Sequence, residues 1–269
     1  MAENVGIAFL FTLLAGLATG IGSLMAFFTK TTNTKFLSMA LGFSAGVMIY
    51  ISMIEIFAKA QTALVAELGN VAGNWATVGA FFGGMLFIAL IDKLVPDQNN
   101  PHEFKKVEDM PQNQPGVKDP SLLNTGLFVA LAIGIHNFPE GIATFASALQ
   151  DPKIGLAIAF AIAIHNIPEG IAVSVPVYFA TENKKKAFLL SFFSGLSEPI
   201  GALIGYLLLM RFMNDLVFGI IFAAVGGIMV FISFDELLPA AQKYDGGHKS
   251  IYGVIAGMAV MAVSLLMFI

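Results

Sequence analysis

Eight long apolar stretches follow one another along the chain, at about 5–28, 36–58, 74–94, 121–148, 153–180, 187–210, 215–240 and 250–269. Each is near the roughly 20 residues that a helix needs to cross the hydrocarbon of a bilayer. Only 12% of the residues are charged, against about 25% in a soluble domain. Such a chain cannot cover a water-facing surface, and its solvent is lipid. The expected fold is an all-α polytopic membrane protein, one transmembrane domain over 1–269. With no Cys, a net charge of −4 and one Arg, a disulfide scaffold, a thiolate metal site and a nucleic-acid partner are all disfavoured. No A-x-A cleavage pattern follows the first stretch, which is expected to be a retained helix.

Connections between the stretches are short except for 95–120, a polar loop with five of the eleven prolines. Orientation follows from Lys and Arg, which accumulate on the cytoplasmic side. With the N-terminus outside, Lys30, Lys35, Lys93, Lys105, Lys106, Lys118, Lys184, Lys185, Lys186, Lys243 and Lys249 fall inside, against Lys59, Lys153 and Arg211 outside. Both termini are then outside and the 95–120 loop is cytoplasmic, in a multi-pass protein of the plasma (inner) membrane.

Stretches four and five carry the same words. One reads Ile-His136-Asn137-Phe-Pro139-Glu140-Gly141-Ile-Ala and the other Ile-His165-Asn166-Ile-Pro168-Glu169-Gly170-Ile-Ala. They lie one span and a short turn apart, so the two helices run antiparallel and a pseudo-twofold axis is expected through the motif pair. A second, weaker repeat relates Gly46-Val-Met48-Ile-Tyr-Ile51-Ser52-Met-Ile-Glu55-Ile to Gly227-Ile-Met229-Val-Phe-Ile232-Ser233-Phe-Asp235-Glu236-Leu. These lie five spans apart, with opposite topology. The expected plan is three spans, a central pair, and three spans that mirror the first three, the inverted-repeat design of many transporters.

Glu140, Glu169 and Glu198 all fall near span centres, where a carboxylate costs roughly 2.5–3.5 kcal/mol on insertion scales. No Lys or Arg falls at a span centre to offset them. Protons or an arriving cation must do so. At about 100° per residue, Glu140 falls between His136 and Asn137 on its helix, at about 40° from the imidazole. Glu169 falls likewise between His165 and Asn166. The twofold then sets the two His on one side of the paired glutamates and the two Asn on the other, leaving two adjacent metal positions that share Glu140 and Glu169. Pro139 and Pro168 leave the carbonyls of Ile135 and Ile164 without their helical donors, which is tolerated at membrane depth only beside a cavity, water or an ion. Imidazole with carboxylate suits zinc, ferrous iron, cobalt or manganese. The absence of thiolates argues against a copper(I) specialist.

These residues resemble the ZIP (Zrt-, Irt-like) family of metal transporters, and the resemblance runs over essentially the whole chain. It implies uptake of zinc and related divalent cations, among them iron, manganese, cobalt and cadmium, through a binuclear site on spans four and five. It also implies Glu198 as a ligand from span six, an elevator-like movement of the central bundle, and a homodimer. Many relatives have a histidine-rich cytoplasmic loop; here the loop holds only His102, which argues against metal sensing by the loop.

Glu55 is expected near the outer mouth and Asp235 with Glu236 near the inner mouth, as relay sites or as charges meeting headgroups. His248 is expected in an inner loop. Small-residue pairs Gly16/Gly20, Gly42/Gly46, Gly79/Gly83, Gly201/Gly205 and Gly253/Gly257 suit close helix packing. Rival readings are a membrane-embedded metallohydrolase and a passive divalent cation channel. The first lacks the H-E-x-x-H word with a glutamate left over as base; the second uses the same residues without alternating access. The expectation is a metal transporter that is not an enzyme and binds no cofactor beyond its cargo.

Overall fold

The structure is a computed structural model that describes residues 4–26, 34–94, 120–181, 183–209, 214–244 and 247–267. The loop residues His102, Glu103, Glu108 and Asp109, together with Lys30, Lys105, Lys106, Lys118 and Arg211, lie outside the described residues.

Every regular element among the described residues is helical. Helix α1 spans Val5–Ala26. Helix α2, Thr34–Tyr50, continues through a π-helical turn, Ile51–Ile56, into α3, Phe57–Leu68. Gly69 then turns the chain at φ 79° into α4, Asn70–Leu94. Helices α5, Pro120–Gln150, and α6, Pro152–Thr181, carry the duplicated words. Helix α7, Lys184–Gly195, is capped by Asn183, whose side chain accepts from the Lys186 amide at 3.0 Å. It leads through Leu196 into α8, Ser197–Ile204, and a π turn, Gly205–Leu209. Helix α9, Asp215–Ile232, passes through the π turn Ser233–Leu237 into α10, Leu238–Tyr244. Helix α11, Lys249–Met267, follows.

Seven stretches of these helices are long and apolar enough to cross a membrane: Val5–Leu24, Ser38–Leu68, Asn70–Lys93, Pro152–Ile171, Lys184–Leu207, Asp215–Lys243 and Lys249–Met267. The 31-residue α5 packs among them, against α1, α6, α7, α8 and α9. Lys59, expected in a loop, lies within α3, because the rod that starts at Thr34 does not break until Gly69. Outward faces are apolar: Trp75 is 75% exposed and Leu86 66%. In water each such side chain forgoes about 1.5–3 kcal/mol of burial; in hydrocarbon it is at home.

Two bundles result. Helices α1, α5, α6, α7 and α8 pack on one another, and α2, α3, α4, α9, α10 and α11 on one another. The bundles meet mainly where α2 touches α6 and α5 touches α9.

Glycines set the closest crossings, and their positions recur. A Cβ on Gly46 would strike the Val254 carbonyl, and one on Gly227 the Phe81 carbonyl. A Cβ on Gly257 would strike the Phe43 carbonyl, and one on Gly84 the Ala224 carbonyl. One shift along the chain carries Gly46 to Gly227 and Phe43 to Ala224; a second carries Phe81 to Val254 and Gly84 to Gly257. The first bundle behaves alike. Gly22 rests on the Ile167 carbonyl and Gly201 on that of Phe138, while Gly170 rests on the Thr19 carbonyl and Gly141 on that of Glu198. Gly16 and Gly195 rest on each other's carbonyls. The expected pair Gly79/Gly83 is different: both face open space, and the neighbouring Gly84 makes the contact instead.

Candidate metal centre

The antiparallel crossing of α5 on α6 brings the two words together from opposite directions. Asn137 and Glu140 on α5, and His165, Asn166 and Glu169 on α6, are all buried, as is Glu198 on α8. His136 belongs to α5, but its side chain is outside what is described.

His165 Nε2 lies 3.4 Å from Glu140 Oε2, so the imidazole of one word meets the carboxylate of the other. On the other side, Asn166 Nδ2 donates to Glu198 Oε1 and to the Ala15 carbonyl of α1, the latter at 2.9 Å. Glu198 is buried in the same bundle as Glu140 and Glu169. Three acidic groups thus share one interior, and among the described residues no Lys or Arg is buried with them. Glu140 Oε1, Asn166 Oδ1 and Glu198 Oε2 are buried without a hydrogen-bond partner. Leaving a buried polar atom unmet costs about 1–3 kcal/mol, more for a charged one. Carboxylate and amide oxygens are donor types that divalent cations take.

The donor chemistry matches: imidazole and carboxylate on one side, amide oxygen and carboxylate on the other. The side chains do not yet converge fully. Among the described residues no group of three His, Asp or Glu stands close enough to hold a metal ion. His165 is engaged with Glu140 and Glu198 with Asn166.

The remaining candidates lie on the other bundle. Glu55 is in the π turn between α2 and α3, 19% exposed, and pairs with Lys59 at 3.1 Å. Asp235, exposed, and Glu236, half-buried, are in the π turn between α9 and α10. Both π turns fall on the weaker repeat, beside Ser52 and Ser233. Nothing in a hydropathy pattern announces a π turn, and the sequence reading missed both. His248 is exposed beside Tyr252, far in the chain from the duplicated words.

Fold and site define a polytopic helical membrane protein whose paired His/Asn/Glu words form a buried acidic centre. A family model described as ZIP zinc transporter matches residues 96–265. Among similar proteins is the zinc transporter ZupT of Lysinibacillus sphaericus (strain C3-41), 67% identical over 269 residues, all of both chains. Another is the zinc transporter ZupT of Oceanobacillus iheyensis, 68% identical over 265 residues, covering 98% of this chain and 99% of the relative. A third is the zinc transporter ZupT of Streptococcus mutans serotype c, 62% identical over the full length of both. The chain belongs to the ZIP family.

Proposed function

We propose that this protein imports zinc into the cytosol through the centre formed by His136, Asn137, Glu140, His165, Asn166, Glu169 and Glu198. The observation that carries this is the buried cluster Glu140, Glu169 and Glu198 with no buried Lys or Arg among the described residues. Such a cluster is costly in a membrane and suits a cargo that brings the missing positive charge. The relatives' names add the metal.

All the residues of the centre belong to one bundle, α1 with α5 to α8, and the other bundle touches it along a limited seam. This division supports alternating access by movement of the first bundle against the second. The recurring glycine contacts support the plan of three spans, a central pair and three mirrored spans. In that plan two arrangements of similar energy, one open to each side, follow from the symmetry. Zinc sheds water onto imidazole, carboxylate and amide oxygen from the outer face. It leaves inward after the bundle moves. Iron, manganese, cobalt and cadmium share enough ligand chemistry to compete.

Glu55 and Asp235 with Glu236 act as relays at the outer and inner mouths, an assignment supported by their π turns, which are frequent at functional sites. The protein resides in the plasma membrane as a homodimer, with both termini outside and the 95–120 loop cytoplasmic. It is a transporter and not an enzyme.

The test is uptake of radioactive zinc into proteoliposomes by the wild type, Glu140→Ala and Glu169→Ala. Saturable uptake that both substitutions abolish is expected. Retained uptake in both would defeat the assignment of the centre.

A further inference from the structure

We propose that Thr19 of α1 is a further ligand of the transported ion, a neutral oxygen that stands on α1 where Glu198 stands on α8. The proposal rests on the metal-transport reading above and adds to it a residue that the duplicated words do not contain.

The backbone contacts place Thr19 there. The shift that carries Gly16 to Gly195 and Gly22 to Gly201 carries Thr19 to Glu198. Their carbonyls do equivalent work: that of Thr19 is the contact of Gly170, next to Glu169, and that of Glu198 is the contact of Gly141, next to Glu140. Each residue therefore crosses a central helix one position past the glutamate of its word.

The side chain of Thr19 is fully buried, and its Oγ1 has no hydrogen-bond partner. Although Ser38, Ser44, Ser52, Thr144, Ser147 and Ser250 are also buried without a partner, a hydroxyl in a helix can return its proton to the carbonyl four residues back. Its neighbours on α1 do so: Thr12 donates to the Ala8 carbonyl at 2.9 Å, and Ser23 to the Thr19 carbonyl at 3.1 Å. Thr19 does not. The carbonyl four residues before it is Ala15, which accepts from Asn166 Nδ2. Gly195 across the interface leaves room for the Thr19 side chain, since a Cβ there would come within 2.8 Å of Thr19 Oγ1.

Thr19 Oγ1 lies against Gly195 at the crossing of α1 and α7, three residues before Glu198, and Asn166 Oδ1 and Glu198 Oε2 are buried and unmet as well. A carboxylate at position 19 would add a fourth negative charge to an interior that already holds three; a hydroxyl adds a donor atom without it.

The test compares wild type, Thr19→Val and Thr19→Ser in proteoliposome zinc uptake, with Glu140→Ala and Glu169→Ala as controls. Valine keeps the shape and removes the oxygen; serine keeps the oxygen. Thr19→Val should raise the zinc KM about five- to tenfold, the loss of one interaction the size of an ordinary hydrogen bond, with the maximal rate within about twofold. Thr19→Ser should stay within about twofold of wild type on both. The thermal midpoint of the metal-free protein should not fall in Thr19→Val, because an unmet hydroxyl has been removed. An unchanged KM in Thr19→Val overturns the proposal. So does an equal loss in Thr19→Ser, or a loss accompanied by a lower metal-free midpoint, either of which marks a packing role. If the glutamate controls keep transporting, the centre as a whole is misassigned. If they are inactive and Thr19→Val is normal, only the assignment of Thr19 fails.

Discussion

His165 of the second word lies 3.4 Å from Glu140 of the first, an imidazole and a carboxylate joined across the crossing of α5 and α6. The two copies therefore build one centre. Glu140→Ala and His165→Ala should each lower zinc affinity by at least about 10- to 100-fold, the loss seen when only the partners of metal ligands are removed. The double variant should lose less than the sum of the two in free energy, since residues that share a partner are not additive. Zinc titration of the purified protein by calorimetry measures all four corners of this cycle; strict additivity would mean that the two residues serve separate ions.

Glu198 stands among Glu140 and Glu169 with Asn166 as its donor. Glu198→Gln removes one of three buried acidic groups and keeps the volume. The metal-free protein should become more stable, by about 2–4 °C in thermal midpoint for each kcal/mol relieved, while zinc uptake falls. Saturating zinc should raise the wild-type midpoint by mass action and raise that of Glu198→Gln less. Thermal unfolding in detergent, with and without zinc, reads both effects. A lower metal-free midpoint in Glu198→Gln would show that the carboxylate holds the fold together rather than waiting for an ion.

The glycine crossings predict which substitutions the fold tolerates. Gly46→Leu and Gly227→Leu drive a side chain into the carbonyls of Val254 and Phe81. Each should cost at least about 1–3 kcal/mol, the usual penalty of overpacking. Gly79→Leu and Gly83→Leu meet open space and should leave the midpoint close to that of wild type. Monodispersity on size-exclusion chromatography and thermal midpoints compare the four.

The Glu55–Lys59 pair is partly exposed, and such pairs contribute only about 0–1 kcal/mol. Glu55→Gln should therefore leave stability nearly unchanged. If Glu55 relays zinc, uptake should fall at limiting zinc and recover at high zinc. Uptake curves across zinc concentration decide this, and identical curves would remove Glu55 from the path.

Composition and periodicity in the sequence were enough to determine the solvent and the helical class, and they point to the residues of the candidate centre. An apolar stretch of about 20 residues has few options in lipid but to close its own hydrogen bonds as a helix. Paired His-Asn-x-Pro-Glu words at span centres announce a cation because buried charge is costly wherever the helices sit. The tertiary structure decided the rest, because it depends on which helix meets which. Gly84 and not Gly83 makes the crossing with α9, since only one face of α4 is turned inward. The π turns at Ile51–Ile56 and Ser233–Leu237 set Glu55, Asp235 and Glu236 on the bundle that lacks the duplicated words. Thr19 carries no motif at all. Its carbonyl meets Gly170, next to Glu169, only because of where α1 crosses α6.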